Sequence, residues 1–546
     1  MSGVEVAQTG PDDGLFARQA TGLVREVSVA NAFFMNWILV FPPLVLAVSV
    51  FWTLSVFVGA NLYLAFAMAV LLAIPILFAV GTLSSAIPRS GGDYVLVSRV
   101  LGPYVGMASS FFTLATFTIA GAFIALSATT LGLGPVLAAL SLITGSGTLS
   151  DWATTLGTDK TWQFVVSLAF LLLATLPHAL GWRVGLRFLT WGFLFAVGGF
   201  GLIGLVLLFT SSGGFSSSFN DVATPVTDNP NTYNSFISSA TEAGFDLSPG
   251  FSLSSTWPAL GAVLGFLGPY CYQTIYVAGE LRRGAAKRNP QIMLFSVVAS
   301  GAVIAIYTLL FFSSFGGEFF RAANIINGTP DYPFATPPMY VFFAMIAANS
   351  SVLAWIIGLA FVAAFPMLLF LQLLAPIRVL FAYAFDGVLP FRVSHVTPGK
   401  GAPVFALLIA VVATIGALAW AVWTTSFFTV LAFIVLFQLL ALTLLCVAGA
   451  LMPYRKTELW RATTGGRTIA GVPAITVGGV VGLACAFFIM YLYLHYEGLG
   501  IASNWVAFRA VLIVGATGML AFALARFIRS RQGFELNRVY TEIPPE

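Results

Sequence analysis

Two interruptions in long apolar runs are where this chain could do chemistry: Phe41-Pro42-Pro43 near its start, and Gly265-Phe266-Leu267-Gly268-Pro269 about half a chain later. The chemistry would be binding by main-chain groups. Inside hydrocarbon every unpaired N–H or C=O is costly, so backbone that leaves a helix must be buried in protein or line a wet cavity. Broken segments at matching places in two halves point to an inverted repeat with a solute site where the helices part. An ordinary proline kink is the bland alternative for either break taken singly.

Other reactive patterns are missing from the sequence. Cys271, Cys446 and Cys485 sit in apolar segments and read as packing residues rather than a disulfide framework. His178, His395 and His495 fall at separate predicted helix ends with no carboxylate at ligand spacing, so no metal site is expected. No acid, base and nucleophile cluster together, which argues against an enzyme, and neither a cofactor nor a nucleic acid partner is expected. The polar side chains near predicted helix centres are Asn36, Thr113, Thr116, Gln372 and Gln438. For each alone, an interhelical hydrogen bond of about 0.6 kcal/mol explains the residue as well as a ligand does.

Stepping outward to the elements that must hold these breaks, 59% of residues are hydrophobic and 8% charged, against about 25% charged in soluble domains. The chain is an all-α integral membrane protein by this reading. Twelve spans are expected, at 31–58, 61–87, 103–134, 162–181, 188–210, 257–280, 291–315, 350–384, 403–424, 427–450, 470–495 and 504–528. The N-terminal segment 1–30 is polar and lacks a basic start and apolar core, so the first span is expected to act as the insertion signal. With both termini inside, only Lys160, Arg321 and Arg509 of the 24 lysines and arginines fall outside, which sets a cytoplasmic N-terminus and a cytoplasmic tail at 529–546. The breaks make 31–210 and 257–450 the two repeats, joined by an outer loop at 211–256 that has no core of its own, with 451–528 as two added spans. A short helix is expected from the Pro337–Phe343 run at the outer mouth.

The loop after the second span reads Pro88-Arg89-Ser90-Gly91-Gly92-Asp93-Tyr94 and continues to Leu101-Gly102-Pro103. This resembles the first cytoplasmic loop of the amino acid-polyamine-organocation permeases. Ala278-Gly279-Glu280-Leu281-Arg282-Arg283 and the run from Arg378 to Pro390 are similar to later motifs of that family. The resemblance spans about residues 25–450 and implies a leucine-transporter-type 5+5 inverted repeat, with substrate held between broken spans one and six. By position it implies a substrate site at Val40, Phe41, Leu44, Val45, Thr116, Phe266, Gly268, Tyr270, Tyr272 and Gln273, with Phe266 as an aromatic gate. Arg89, Gly91, Gly92, Glu280 and Asp386 are then the cytoplasmic loop and gate, where exposed pairing contributes little stability. The family's glycine break in the first span falls on Pro42-Pro43-Leu44, and proline has no N–H to offer a carboxylate. Donors are expected from Leu44, Val45 and Leu46 instead.

No Asp, Glu, Lys or Arg sits at a predicted midplane, Arg509 being the borderline case. That disfavours polyamines and leaves proton coupling as an open expectation. The centre of the eighth span, Phe361–Met367, lacks hydroxyl side chains, which disfavours sodium. The expectation is a secondary active permease or exchanger in the cell membrane, moving a small neutral amino acid or related metabolite through the lipid bilayer by alternating access. An amine or nucleobase carrier, or a non-transporting sensor on the same fold, is the alternative.

Overall fold

The computed structural model describes residues 25–397, 401–424, 427–464, 466–499 and 505–540. Residues 1–24 of the expected N-terminal segment and 541–546 of the tail lie outside that set. Among the described residues, 11 helices are long and apolar enough to cross a membrane. A twelfth, Leu253–Leu267, falls short because the chain leaves the helix at Gly268. The chain is thus an all-α integral membrane protein, its only strands a two-residue pair at Thr468–Ile469 and Val472–Pro473 among the described residues.

Local sequence explains where the spans begin. Ser28 caps the first helix by accepting from the Asn31 N–H at 3.2 Å, and Asn61 caps the second through the Leu64 N–H at 3.0 Å. Gly102, at φ 100°, turns the chain so that Pro103 opens the third span at a position where no N–H is needed. The third span runs on to Thr144 through a wide turn at Ala128–Leu133, ten residues past its expected end. The first and last described residues lie on one face of the molecule, where the backbone of Val27 pairs with Glu280 and Arg282 and Tyr540 meets Tyr94. We call this the terminal face.

The connection at 211–256 is built as two helices, Ser212–Thr227 and Thr232–Glu242. Phe215, Phe219 and Ala223 recur every four residues and are buried, so one face of the first helix is apolar. That face packs against Tyr233 and Phe236 of the second helix, so the connection has a small core, which Phe319, Phe334 and Phe343 from later segments complete, with Phe219 and Phe319 rings 5.0 Å apart. The short helix expected near Pro337 forms at Tyr340–Ala347 and packs into the same aromatic cluster.

Close helix packing in apolar surroundings needs small residues at the contact. The eleventh span, Ala474–His495, meets the tenth and the second through Gly478, Gly479 and Gly482. A Cβ on Gly479 would lie 2.6 Å from the Cys446 carbonyl and 2.7 Å from the Ala450 nitrogen, both backbone atoms that cannot swing aside. Gly479→Val is therefore expected to cost about 1–3 kcal/mol through overpacking. A lower thermal midpoint in detergent and a smaller monodisperse yield would register it.

Candidate functional site

The first helix, Val29–Val40, ends because Phe41 adopts a left-handed conformation at φ 46° and two prolines follow. Pro42 and Pro43 cannot donate, so the carbonyls of Ile38 and Leu39 lose their helical partners. The Leu44 N–H turns instead to the Phe41 carbonyl at 2.9 Å, which also takes the Val45 N–H at 3.1 Å. The Leu46 N–H bonds to the Pro42 and Pro43 carbonyls. The expected main-chain donors at Leu44, Val45 and Leu46 are thus already used inside the turn. What the break presents is the carbonyl end of a half-helix, the end that attracts positive charge.

The second break mirrors this. Helix Leu253–Leu267 stops at Gly268, where a Cβ would strike the Leu264 carbonyl at 2.4 Å, and Pro269 cannot continue the ladder. The chain then runs through tight turns, the Tyr270 N–H to the Gly268 carbonyl and the Tyr272 N–H to the Tyr270 carbonyl, both at 2.7 Å. The two breaks are tied together beneath by a buried polar chain. Asn36 Oδ1 accepts from the Thr274 N–H at 3.1 Å, the Thr274 hydroxyl donates to Asn289 Oδ1 at 2.8 Å, and Asn289 Nδ2 donates to Ser84 at 3.2 Å.

Between the breaks lies a cavity of about 90 Å³. Leu39, Val40, Leu44, Phe266, Tyr270 and Tyr272 bring it main chain and aromatic wall, and Thr116, Gln372 and Gln438 come from spans three, eight and ten. Among the described residues, no charged side chain lines it. Four buried polar atoms at its wall have no hydrogen-bond partner: Thr116 Oγ1, Tyr270 OH, Tyr272 OH and Gln438 Nε2. All four are able to donate. Residues at the carbonyl end of the broken helix and side-chain donors from the walls therefore line one small apolar chamber.

Toward the terminal face the chamber is floored by a layer of buried ions. Asp386 is bound by Arg89 at 2.8 Å and by Arg99 at 2.7 Å, and the Tyr94 hydroxyl donates to it at 3.0 Å. Arg378 grips Glu280 with two parallel bonds of 2.8 and 2.9 Å and lies over the Trp182 ring. The tail joins in, since Tyr540 shares a 2.7 Å hydroxyl contact with Tyr94 and carries the Arg99 guanidinium 4.7 Å above its ring. Burial, and then the nearby Asp386 carboxylate, push the Tyr94 and Tyr540 phenols up, so both stay neutral donors.

Two glycines let the loop reach this depth. Gly91 and Gly92 sit at φ 121° and 60°, and a Cβ on Gly92 would fall 2.2 Å from the Tyr276 ring. The Gly91 N–H then donates to the Tyr276 carbonyl at 3.2 Å, locking the loop to the irregular end of the sixth span.

The sequence matches the amino acid permease family over residues 29–517, which includes both breaks, the cavity and the ion layer. This chain belongs to the amino acid permease family. No curated protein matches it. The permease therefore belongs among membrane transporters of amino acids or related solutes.

Of the residues expected at a substrate site, the permease brings Val40, Leu44, Thr116, Phe266, Tyr270 and Tyr272 onto the cavity wall. It places Phe41, Val45, Gly268 and Gln273 behind it. Phe41 packs edge-on against Phe365, and Gln273 donates through Nε2 to the Leu371 carbonyl at 2.7 Å. Leu39, Phe117, Ala120, Phe123, Ile124, Leu368, Leu431 and Ile434 are wall residues that sequence reasoning passed over, because apolar residues on apolar helices carry no local signal, while Gly265 joins the wall from the break already singled out. Gln372 and Gln438 did carry one, as amides in otherwise apolar spans. Arg89, Gly91, Gly92, Glu280 and Asp386 all meet in the ion layer, but the expectation of exposed pairing there is wrong: Glu280 and Asp386 are each 1% exposed. Helix ends look solvated in a linear sequence, whereas here the loop at 88–101 folds over them. Removing one partner of a buried pair strands the other charges, so Asp386→Ala is expected to cost about 3–5 kcal/mol. Faster hydrogen exchange across Gly92–Leu101 and a lower thermal midpoint would report it, with little rescue by Asp386→Ser.

Proposed function

We propose that the protein is a secondary active permease or exchanger that carries a small neutral amino acid or a closely related metabolite across the cell membrane by alternating access. The observation that carries this reading is the uncharged cavity between the two broken spans, with carbonyl acceptors on one side and four unpartnered donors on the other. At about 30 Å³ per water, 90 Å³ holds roughly three waters, so this closed arrangement suits only a small solute. An amino acid's ammonium group would meet the carbonyl end at Ile38, Leu39 and Val40. Its carboxylate would take the donors of Thr116, Tyr270, Tyr272 and Gln438, which replace the main-chain N–H groups that the prolines remove. Phe117, Phe123, Ile124, Leu368 and Leu431 suit an apolar side chain. A simple amine would leave the four donors unused.

In this reading the terminal face is cytoplasmic, as the excess of basic residues there supports, and the ion layer is the closed inner gate. Spans one to five and six to ten act as the two inverted repeats, which rock about the cavity. The test is uptake of labelled neutral amino acids into proteoliposomes, with and without imposed proton or sodium gradients, and with amines and nucleobases as competitors. A neutral amino acid should be taken up, and Gln438→Leu should raise its half-saturating concentration roughly ten- to a hundredfold, the loss of one hydrogen bond to a charged group. Failure of every amino acid to bind or move would reject the substrate class.

A further inference from the structure

One ionisable group near the cavity has no counter-charge. Asp93 opens the loop helix Gly92–Leu101 and is fully buried, yet it makes no ion pair among the described residues. Its neighbours differ: Asp386 is held by Arg89 and Arg99, and Glu280 by Arg378. Asp93 Oδ2 accepts from the Ser109 hydroxyl at 2.7 Å, while Oδ1 has no partner.

The groups packed around it are hydroxyls and the N–H groups of Asp93 and Tyr94 at the helix start. Ser109 and Thr113 face it from the third span, Tyr272 and Tyr276 from the irregular end of the sixth, and Tyr383 from the eighth. On the eighth span Arg378 is committed to Glu280, and on the tenth Arg455 binds the Val100 carbonyl rather than the carboxyl. The hydroxyls of Thr113, Tyr276 and Tyr272 lie next to one another, Thr113 beside Asp93 and Tyr276, and Tyr276 beside Tyr272, none in a well-formed hydrogen bond, and Tyr272 is also a wall of the cavity. A file of unsatisfied hydroxyls thus leads from the chamber down to the bare oxygen of Asp93. Buried polar atoms without partners are rare, and several in one file mark a route that water or a proton can occupy.

We propose that Asp93 is the proton-binding site of this permease: Oδ1 takes a proton arriving by way of the cavity while the ion layer is closed, and gives it to water on the terminal face when that layer opens. The step is a plain protonation, O⁻ to OH and back, and needs no other reactant. It rests on the transport reading above and adds its coupling ion. Burial outweighs the Ser109 bond and the helix N-terminus, both of which favour the carboxylate, so the carboxyl is pushed up to about 6. A raised carboxyl favours the closed arrangement at low pH, and that advantage is lost as pH climbs from the ordinary aspartate value through about 6. Opening the loop would hydrate Asp93 and return its pKa toward that ordinary value, which releases the proton.

The experiment uses the full chain in proteoliposomes and three proteins: wild type, Asp93→Asn and Ser109→Ala. Infrared difference spectra across a titration from mildly acid to mildly alkaline read the protonated carboxyl directly, without any substrate. The expected result is a carboxyl band that titrates near 6 in wild type, is lost in D93N and moves to higher pH in S109A, which has lost a donor to the carboxylate. With the neutral amino acid that wild type takes up, an inward acid gradient should drive accumulation by wild type but not by D93N, while D93N still exchanges that amino acid between the two sides. An unchanged band in D93N overturns the proposal, as does gradient-driven accumulation by D93N equal to wild type, or equal loss of exchange and accumulation in D93N. If no amino acid moves but the band behaves as expected, the substrate reading falls and the proton site stands.

Discussion

Backbone hydrogen bonding in an apolar medium is the constraint on which this molecule depends. A proline pair in the first span and a glycine–proline pair in the sixth each remove donors that the preceding helix needs, and no water is at hand in hydrocarbon to replace them. The freed carbonyls are tolerable only where protein or a solute can meet them. The rest of the core follows from that demand: spans three, eight and ten close around the breaks and bring amides and hydroxyls to the same chamber.

The ion layer answers a second version of the same problem. Three arginines and two carboxylates are buried beneath the cavity, and burial is bearable because each carboxylate is met by a guanidinium at 2.7 to 2.9 Å. The paired glycines make this possible by admitting the loop backbone against Tyr276 at a distance no side chain would allow. An assembly of this kind is stiff when complete and costly when half made. Asp93 stands apart within it, a carboxyl met by hydroxyls and by the N–H groups at the start of its own helix rather than by a guanidinium.

Much of this was legible along the chain. The apolar runs and their caps foretold the spans, the prolines foretold the breaks, and the run from Pro88 to Pro103 foretold a loop under the core. The folding of 211–256 was less legible, because its Phe215–Phe219–Ala223 stripe packs in part on Tyr233 and Phe236 and in part on phenylalanines a hundred residues later. Main-chain donors were misplaced for a related reason. A count along the sequence says which N–H groups follow a proline, but not that the left-handed turn at Phe41 draws two of them onto one carbonyl.

What the sequence by itself determined is the medium, the helices and the points at which they must fail, since these follow from apolar periodicity and from residues that lack an N–H or a Cβ. Only the tertiary structure decided which side chains face the cavity, that Asp386 and Glu280 are buried rather than exposed, and that Asp93 lies without a counter-charge. Those properties depend on the distance between atoms far apart in the chain, and a helix that is apolar on every side does not reveal which of its faces meets lipid and which meets a neighbour.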